Sequence, residues 1–261
     1  MKYAPAPSLY DLPLAELEDF LAARQLPRYR ARQIFGWAYG QLVEGYDAMT
    51  NLPLALRRRL AEELPLATYP AVREVALTER EGETVKFLFE TPDARHVEAV
   101  LMFYPDRVTA CVSCQVGCPI RCTFCATGLG GLERNLTPGE MVAQVVALAR
   151  RARAAGRALT NVVMMGMGEP LANYSPTLRF IGILNEPAGL GFGARRVTVS
   201  TAGIVRRSTD WPPSPTRSTW PSRSTPRWTA CAPRWCPSTG AGRWPSCSPP
   251  AAATSSARTG A

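Results

Sequence analysis

The sequence predicts an α/β protein with a helical N-terminal region. Three observations carry this: residues 9–65 space their apolar side chains as helices do, residues 70–113 break into short β-rich runs, and from residue 137 strand-like and helix-like segments alternate. Alternation of that kind implies a parallel sheet with crossover helices, whose ligands sit at the C-terminal ends of the strands.

In the first region Leu14, Leu17, Phe20 and Leu21 share one helical face, and Ile34, Phe35 and Ala38 share another. Leu56, Leu60 and Leu64 form a third face behind the start signal Asn51-Leu52-Pro53. Arg24, Arg28, Arg30 and Arg32 make one basic group and Arg57, Arg58 and Arg59 another, which reads equally as an RNA-backbone contact and as a solvated helix surface. The β-rich runs are Val72–Leu77, Thr84–Phe89, Val97–Phe103 and Val108–Val112, separated by Glu81-Gly82, Pro92-Asp93 and Pro105-Asp106. Glu98 lies among Val97, Ala99 and Val100; a strand carboxylate commonly faces solvent, but one buried beside a substrate would have a raised pKa and serve as a base. Farther on, Thr137-Pro138-Gly139-Glu140 is a capping box that starts the helix Met141–Ala155. Strand Asn161–Met165, helix Ser175–Leu184 and strand Arg196–Ser200 follow.

The chain has 261 residues, 46% of them hydrophobic, enough for one large core or two modest ones. No apolar run reaches bilayer length and no N-terminal stretch reads as a signal peptide, so the expectation is a soluble, cytoplasmic protein with reduced cysteines. The net charge is +9, but residues 206–261 hold eight Arg and one Asp, so most of the excess lies there. From Arg206 onward there is no Val, Ile, Leu, Met, Phe or Tyr, while Pro, Ser and Arg abound and five of the six Trp occur. Such a segment cannot fold by apolar burial. It reads either as a disordered basic tail suited to stacking on RNA bases or, the preferred reading, as a GC-rich gene translated out of frame after about Arg207.

Five of the eight cysteines fall in Cys111–Asn135, and Cys118, Cys122 and Cys125 follow the spacing C-x3-C-x2-C in a glycine-rich loop. Three thiolates so placed can bind three irons of a cubane cluster and leave the fourth iron free to chelate a small molecule, the layout of a radical S-adenosylmethionine (SAM) enzyme. Two C-x-x-C pairs, Cys111/Cys114 and Cys122/Cys125, allow a zinc site instead, and a disulfide framework is a further alternative. Gly166-Met167-Gly168-Glu169-Pro170 and Ser200-Thr201-Ala202-Gly203 are expected on the same rim as this loop.

The stretches CVSCQVGCPIRCTFCATG, RNLTPGEMVAQV, NVVMMGMGEPLANY and RRVTVSTAGIV closely resemble the radical-SAM adenine-C2 methyltransferases of bacterial large-subunit ribosomal RNA, which also modify transfer RNAs. The similarity runs from about Leu12 to Val205, and its nearest relative is the resistance enzyme that methylates C8 of the same adenine. The resemblance implies a partial (βα)6 barrel, incomplete here, with the chain divided into an RNA-binding helical domain (1–69), a β-rich connection (70–107), the first half of the barrel (108–205) and the aberrant tail (206–261). It implies that Cys118, Cys122 and Cys125 ligate a 4Fe-4S cluster and that Gly168, Glu169 and Ser200 contact SAM, two of which are used per turnover. Glu98 matches the proton acceptor, and Cys111 matches the cysteine that resolves a methyl-cysteine-linked RNA adduct by forming a disulfide. Cys114 stands where the family has a small hydroxyl residue, and the only histidine, His96, lies outside the motifs. Implied partners are 23S rRNA, tRNA and an external electron donor such as flavodoxin, with the protein acting as a monomer away from membranes. A Ser-Leu-His contact, a later Asn and the methyl-carrying cysteine belong beyond Val205; none is recognisable there, and Cys231, Cys236 and Cys247 lack the expected surroundings. This copy is therefore expected to be inactive in methyl transfer. A zinc-dependent RNA-binding module is the alternative from another class.

Overall fold

Seven strands form one mixed sheet, and the change from antiparallel to parallel pairing within it creates the rim on which the motif loops lie. The computed structural model describes residues 7–67, 69, 71–79, 82–204 and 227–230. In chain order the strands are β1 (Ala71–Glu79), β2 (Gly82–Glu90), β3 (His96–Phe103), β4 (Val108–Cys111), β5 (Gln115–Gly117), β6 (Leu132–Asn135), β7 (Asn161–Met164), β8 (Val197–Thr201) and β9 (Arg227–Ala230). The large sheet has the order β1-β2-β3-β4-β7-β8-β9, while β5 and β6 pair only with each other. β1 to β4 form the meander read from the sequence, and β4, β7, β8 and β9 run parallel. Apart from the strand β9, residues 205–261 lie outside the described residues, and with them the reading-frame and tail readings.

The helices are α1 (Leu14–Ala22), α2 (Tyr29–Phe35), α3 (Leu54–Glu63), α4 (Ala126–Leu129), α5 (Pro138–Ala154) and α6 (Tyr174–Asn185). Helix α2 continues into a wider π-helical turn, Gly36–Gln41, that stops at Leu42 with φ +56°. The capping box forms as expected: Thr137 Oγ1 accepts from Glu140 N at 3.1 Å, and the Glu140 carboxylate accepts from Thr137 N at 2.8 Å. α5 supplies the crossover from β4 to β7 and α6 the crossover from β7 to β8. Leu101, Ala110, Val162 and Val199 bury the helix-side face of the sheet, and Met141, Val145 and Leu148 of α5 belong to the same core.

The N-terminal helices carry their own apolar faces into that continuous core, with Leu17, Leu21, Ile34, Phe35 and Leu60 fully or almost fully buried. Arginines of α5 then close the seam. Arg150 donates to the carbonyls of Leu42, at 2.6 Å, and Val43, and Arg153 donates to Gly40 O at 2.8 Å and Gln41 O at 2.9 Å. These carbonyls end the π-helical turn, where unsatisfied acceptors and the negative end of the helix dipole both favour a cation. At the other end of α5, Asp11 Oδ1 accepts from Gly139 N at 2.6 Å.

Gly139 has no room for a side chain, since a Cβ there would stand 2.5 Å from Asp11 Oδ2 and 2.6 Å from Ser8 Oγ. Gly139→Ala should therefore push the Leu9–Asp11 turn off α5 and cost about 1–3 kcal/mol of stability, measurable as a lower urea midpoint. An unchanged midpoint would show that this contact bears no load.

Candidate functional site

One face of the sheet gathers the polar residues singled out in the sequence. The register places Lys86 opposite Val100, Val100 opposite Cys111, Cys111 beside Val163, and Val163 beside Thr198. Paired residues share a face, and so do residues two apart, so Glu98, Cys111 and Ser200 all lie on the side away from α5. They also sit at one end: Ser113, just past β4, donates from Oγ to Glu98 O at 2.5 Å, and Ser200 is near the C-terminal end of β8.

The cysteine loop rises from this rim on the hairpin β5–β6. Cys118 N donates to Gly131 O at 2.9 Å, Cys125 N to Cys122 O at 3.1 Å, and Gly128 N to Cys125 O at 3.0 Å. Gly128 lets α4 fold onto the loop, because a Cβ there would lie 3.0 Å from Arg121 Cα and 3.2 Å from Cys122 N. Cys118, Cys122 and Cys125 are partly exposed, whereas Cys111 and Cys114 are buried, and all five are free thiols. Phe124 and Leu129 are 65% and 81% exposed beside them. Among the described residues no three His, Cys, Asp or Glu side chains form a group able to hold a single metal ion. A cubane makes a looser demand, since each thiolate binds a different iron.

The turn Gly166–Pro170 packs against the start of the hairpin. Met167 O accepts from Cys114 N at 2.8 Å and Gln115 N at 3.3 Å, and Glu169 N donates to Gln115 Oε1 at 2.8 Å. Gly168 has φ +105°, and a Cβ on it would meet Gln115 Cβ at 2.7 Å and Cys114 Sγ at 2.8 Å. Cys114 is thus a packing residue beneath this turn. The Glu169 carboxylate is buried and accepts from Leu171 N at 2.9 Å, Thr201 Oγ1 at 2.5 Å and Ala202 N at 2.7 Å. It ties the β7 turn to the end of β8.

Two side chains have environments that local sequence left open, and for Glu98 the solvent-facing alternative is the one observed. Glu98 is not buried; its side chain is 43% exposed and pairs with Lys86 Nζ at 2.6 Å, so it is oriented by a cation and not desolvated. The Cys111 thiol is pushed up to about 11 by burial, against the weaker opposing effect of a backbone hydrogen bond with Met165, and is therefore a thiol at neutral pH. Burial also raises the Cys118 thiol, with Glu169, Cys122 and Cys125 adding to the effect and a hydrogen bond to the Ile120 backbone opposing it.

The N-terminal arginines are largely engaged within the protein. Arg24 and Arg59 pair with Glu63, Arg28 pairs with Asp19 at 2.9 Å, and Arg30 donates to Gln33 and to Asn51 O. Arg28, Arg32, Arg58 and Arg59 are exposed. No helix among the described residues is long and apolar enough to cross a membrane.

Comparison with known proteins places this architecture. Residues 8–65 match the ribosomal RNA large subunit methyltransferase N-terminal domain, and residues 112–210 match the radical SAM superfamily. Curated relatives with the name "Probable dual-specificity RNA methyltransferase RlmN" include one from Roseiflexus castenholzii, 46% identical over 76% of this chain and 58% of its own length. Another, from Geobacillus kaustophilus, is 45% identical over 77% of this chain and 54% of its own length. A crystal structure of a radical SAM methyltransferase from Sphaerobacter thermophilus is 65% identical and superposes with a TM-score of 0.73, covering 77% of this chain and 58% of that one. The chain belongs to the RlmN family. It spans somewhat over half the length of the relatives it matches.

Membership of the radical SAM superfamily implies a 4Fe-4S cluster and SAM, and the sheet of β4, β7 and β8 with α5 and α6 is part of the superfamily's (βα) barrel. Several residues that shape the RlmN-type rim here were not found from sequence. Gln144 of α5 accepts from Ser113 N at 2.9 Å and donates to Ser113 O at 3.0 Å, and Asn173 donates to Cys114 O and Leu136 O, each at 2.9 Å. Arg134 of β6 binds Asp93 and Glu140. Except for Glu140, six residues from Arg134, their partners are distant in sequence, and no local spacing announces them.

Two measurements follow from these environments. With its thiol near 11 instead of 9, Cys111 should react with iodoacetamide at pH 8 on the order of 100-fold more slowly than an ordinary thiol, read by mass spectrometry of the metal-free protein. Labelling of Cys111 as fast as Cys125 would contradict the burial seen. The Arg134 hydrogen bonds outweigh desolvation and lower the Asp93 carboxyl from 3.8 to about 2. A carboxyl lowered by folding contributes stability above its unfolded value and loses it as pH falls through the folded one. Between about pH 4 and pH 2, Asp93→Asn should therefore show a shallower loss of stability than the parent. Parallel acid titrations would count against the pairing.

Proposed function

We propose that this chain holds the cluster-binding and SAM-binding half of an RNA adenine-C2 methyltransferase together with its RNA-binding helices. Its substrates are 23S rRNA and tRNA, and it works in the cytoplasm as a monomer supplied with electrons by an external donor such as flavodoxin. The observation that carries the reading is spatial: three partly exposed thiols stand on the same rim as the Gly166–Pro170 turn and Ser200, above a sheet face shared by Cys111 and Glu98.

The donor set suits the cluster. Cys118, Cys122 and Cys125 would each hold one iron, and all three are partly exposed in a loop that α4 folds onto closely at Gly128. Gly168 and Glu169 would meet the methionine end of SAM, the Glu169 carboxylate keeping acceptor capacity on Oε2 beyond its bond to Ala202 N. Ser200 would contact SAM from the end of β8. When bound, the cluster supplies an electron and two SAM molecules per turnover supply the methyl group and the hydrogen-abstracting fragment.

The chain's own residues then handle protons and sulfur. Glu98, exposed on the open face and oriented by Lys86, is placed to take the C2 proton of adenine on its carboxylate. Cys111 is kept as a thiol by burial and must lose its proton at Sγ before it can attack a sulfur. The exposed Arg32 and Arg58 of the helical region offer positive charge to a phosphate backbone.

Anaerobic reconstitution tests the proposal. The protein should turn brown, carry iron and sulfide and bind SAM, and replacing Cys118, Cys122 and Cys125 by alanine should abolish all three properties. Stoichiometric zinc without iron, or SAM binding undiminished in the triple variant, would overturn the assignment.

A further inference from the structure

The hairpin β5–β6 carries the whole cysteine loop: Gly117 ends β5 directly before Cys118, and β6 resumes at Leu132. It belongs to no larger sheet, pairing only with itself, and two strands alone are at best marginally stable in water. Its orientation must come from contacts outside the pairing. At its base Leu136 N donates to Cys114 O at 3.1 Å, and Gln115 Nε2 donates to Asn135 Oδ1 at 2.7 Å. Both bonds are internal to the hairpin's own ends, and the outside bonds from Met167 O, Glu169 N and Asn173 reach only that base, at Cys114, Gln115 and Leu136.

Arg134 supplies a further outside reference, on the β6 strand. Nε and one terminal nitrogen donate to the two oxygens of Asp93, each at 2.8 Å, and the two terminal nitrogens donate to the two oxygens of Glu140, also at 2.8 Å each. A fifth bond reaches Asn135 O at 3.1 Å, so each of the five guanidinium N–H groups has an acceptor. The side chains are sheltered, with exposures of 14% for Arg134, 16% for Asp93 and 3% for Glu140. Both anchors are themselves fixed. Asp93 accepts from Thr91 Oγ1 in the turn between β2 and β3, and Glu140 is locked in the capping box of α5. Next to this network, the pair Arg95–Glu133 joins the same turn to the same strand, but its side chains are 55% and 46% exposed and it adds little.

We propose that Arg134 is a positioning residue for the cluster loop, its two-sided carboxylate clamp setting the hairpin, and with it Cys118, Cys122 and Cys125, at a fixed angle to the strand that bears Glu98. Asp93 is three residues before His96, where β3 begins, and Glu98 is the third residue of that strand. One guanidinium therefore references the thiols to the base and to the N-terminus of α5 at once. Lysine cannot replace it, because an ammonium has no planar fork to meet two carboxylates edge-on. The proposal rests on the cluster reading above for what the loop holds, but the orienting role belongs to the metal-free chain.

The test uses the full-length chain with Arg134→Lys, Asp93→Asn and the control Arg95→Ala, first metal-free and reduced, then anaerobically reconstituted. In Arg134→Lys, amide hydrogen exchange over residues 115–135 should quicken at least about tenfold while exchange in α5 and β7 stays at the parent rate. Iron and sulfide per chain should fall below half of the parent's, and Arg95→Ala should match the parent in both. Asp93→Asn, which keeps the Glu140 side of the clamp, should show the same local effect to a smaller degree and decides the matter if Arg134→Lys does not fold. Exchange that rises evenly across the whole chain, or parent exchange in 115–135 in both variants, would overturn the proposal. If the parent itself takes up no iron and sulfide, the cluster reading fails, while the exchange comparison still decides what Arg134 does.

Discussion

The seating of the Gly166–Pro170 turn between β4 and β8 is the constraint on which the rim depends. On one side Met167 O and Glu169 N bond to the start of the cysteine hairpin, and on the other the Glu169 carboxylate bonds to the end of β8. A buried carboxylate is costly unless its oxygens are satisfied, and here neutral donors from three separate residues do so. The cost of burying the charge is thereby converted into a rigid joint. Gly168 makes the joint possible, because any larger residue would collide with Cys114 and Gln115.

The thiols divide into two environments a few residues apart. Those of the loop are partly exposed, while Cys111, on the sheet, is buried and kept protonated. Cysteine reactivity follows the thiolate fraction, so burial makes Cys111 slow to react at neutral pH. The open face between them carries Glu98, held by Lys86 and not by desolvation.

The helical region is bound to the barrel fragment by a shared apolar core and by hydrogen bonds at helix ends. Arg150 and Arg153 answer the carbonyls that the π-helical turn leaves open, and Asp11 meets a backbone N–H in the first turn of α5. α5 thus touches the N-terminal helices along one side and the cluster hairpin, through Glu140, at its start. Any movement of the N-terminal helices would be felt at the same helix that anchors the cysteine loop.

Much of this was legible from the chain itself. Local chemistry settles the capping box at Thr137–Glu140, the strand runs of the meander and the three cysteines in one loop, because each depends on residues a few positions apart. The motif stretches around them carry the resemblance to the family. The tertiary structure alone decided that Glu98 is paired and exposed, that Cys111 is buried, that Glu169 is a strut, and that Arg134 reaches Asp93 and Glu140. Solvation and pairing between distant strands set those outcomes, and neither is encoded in any short stretch of residues.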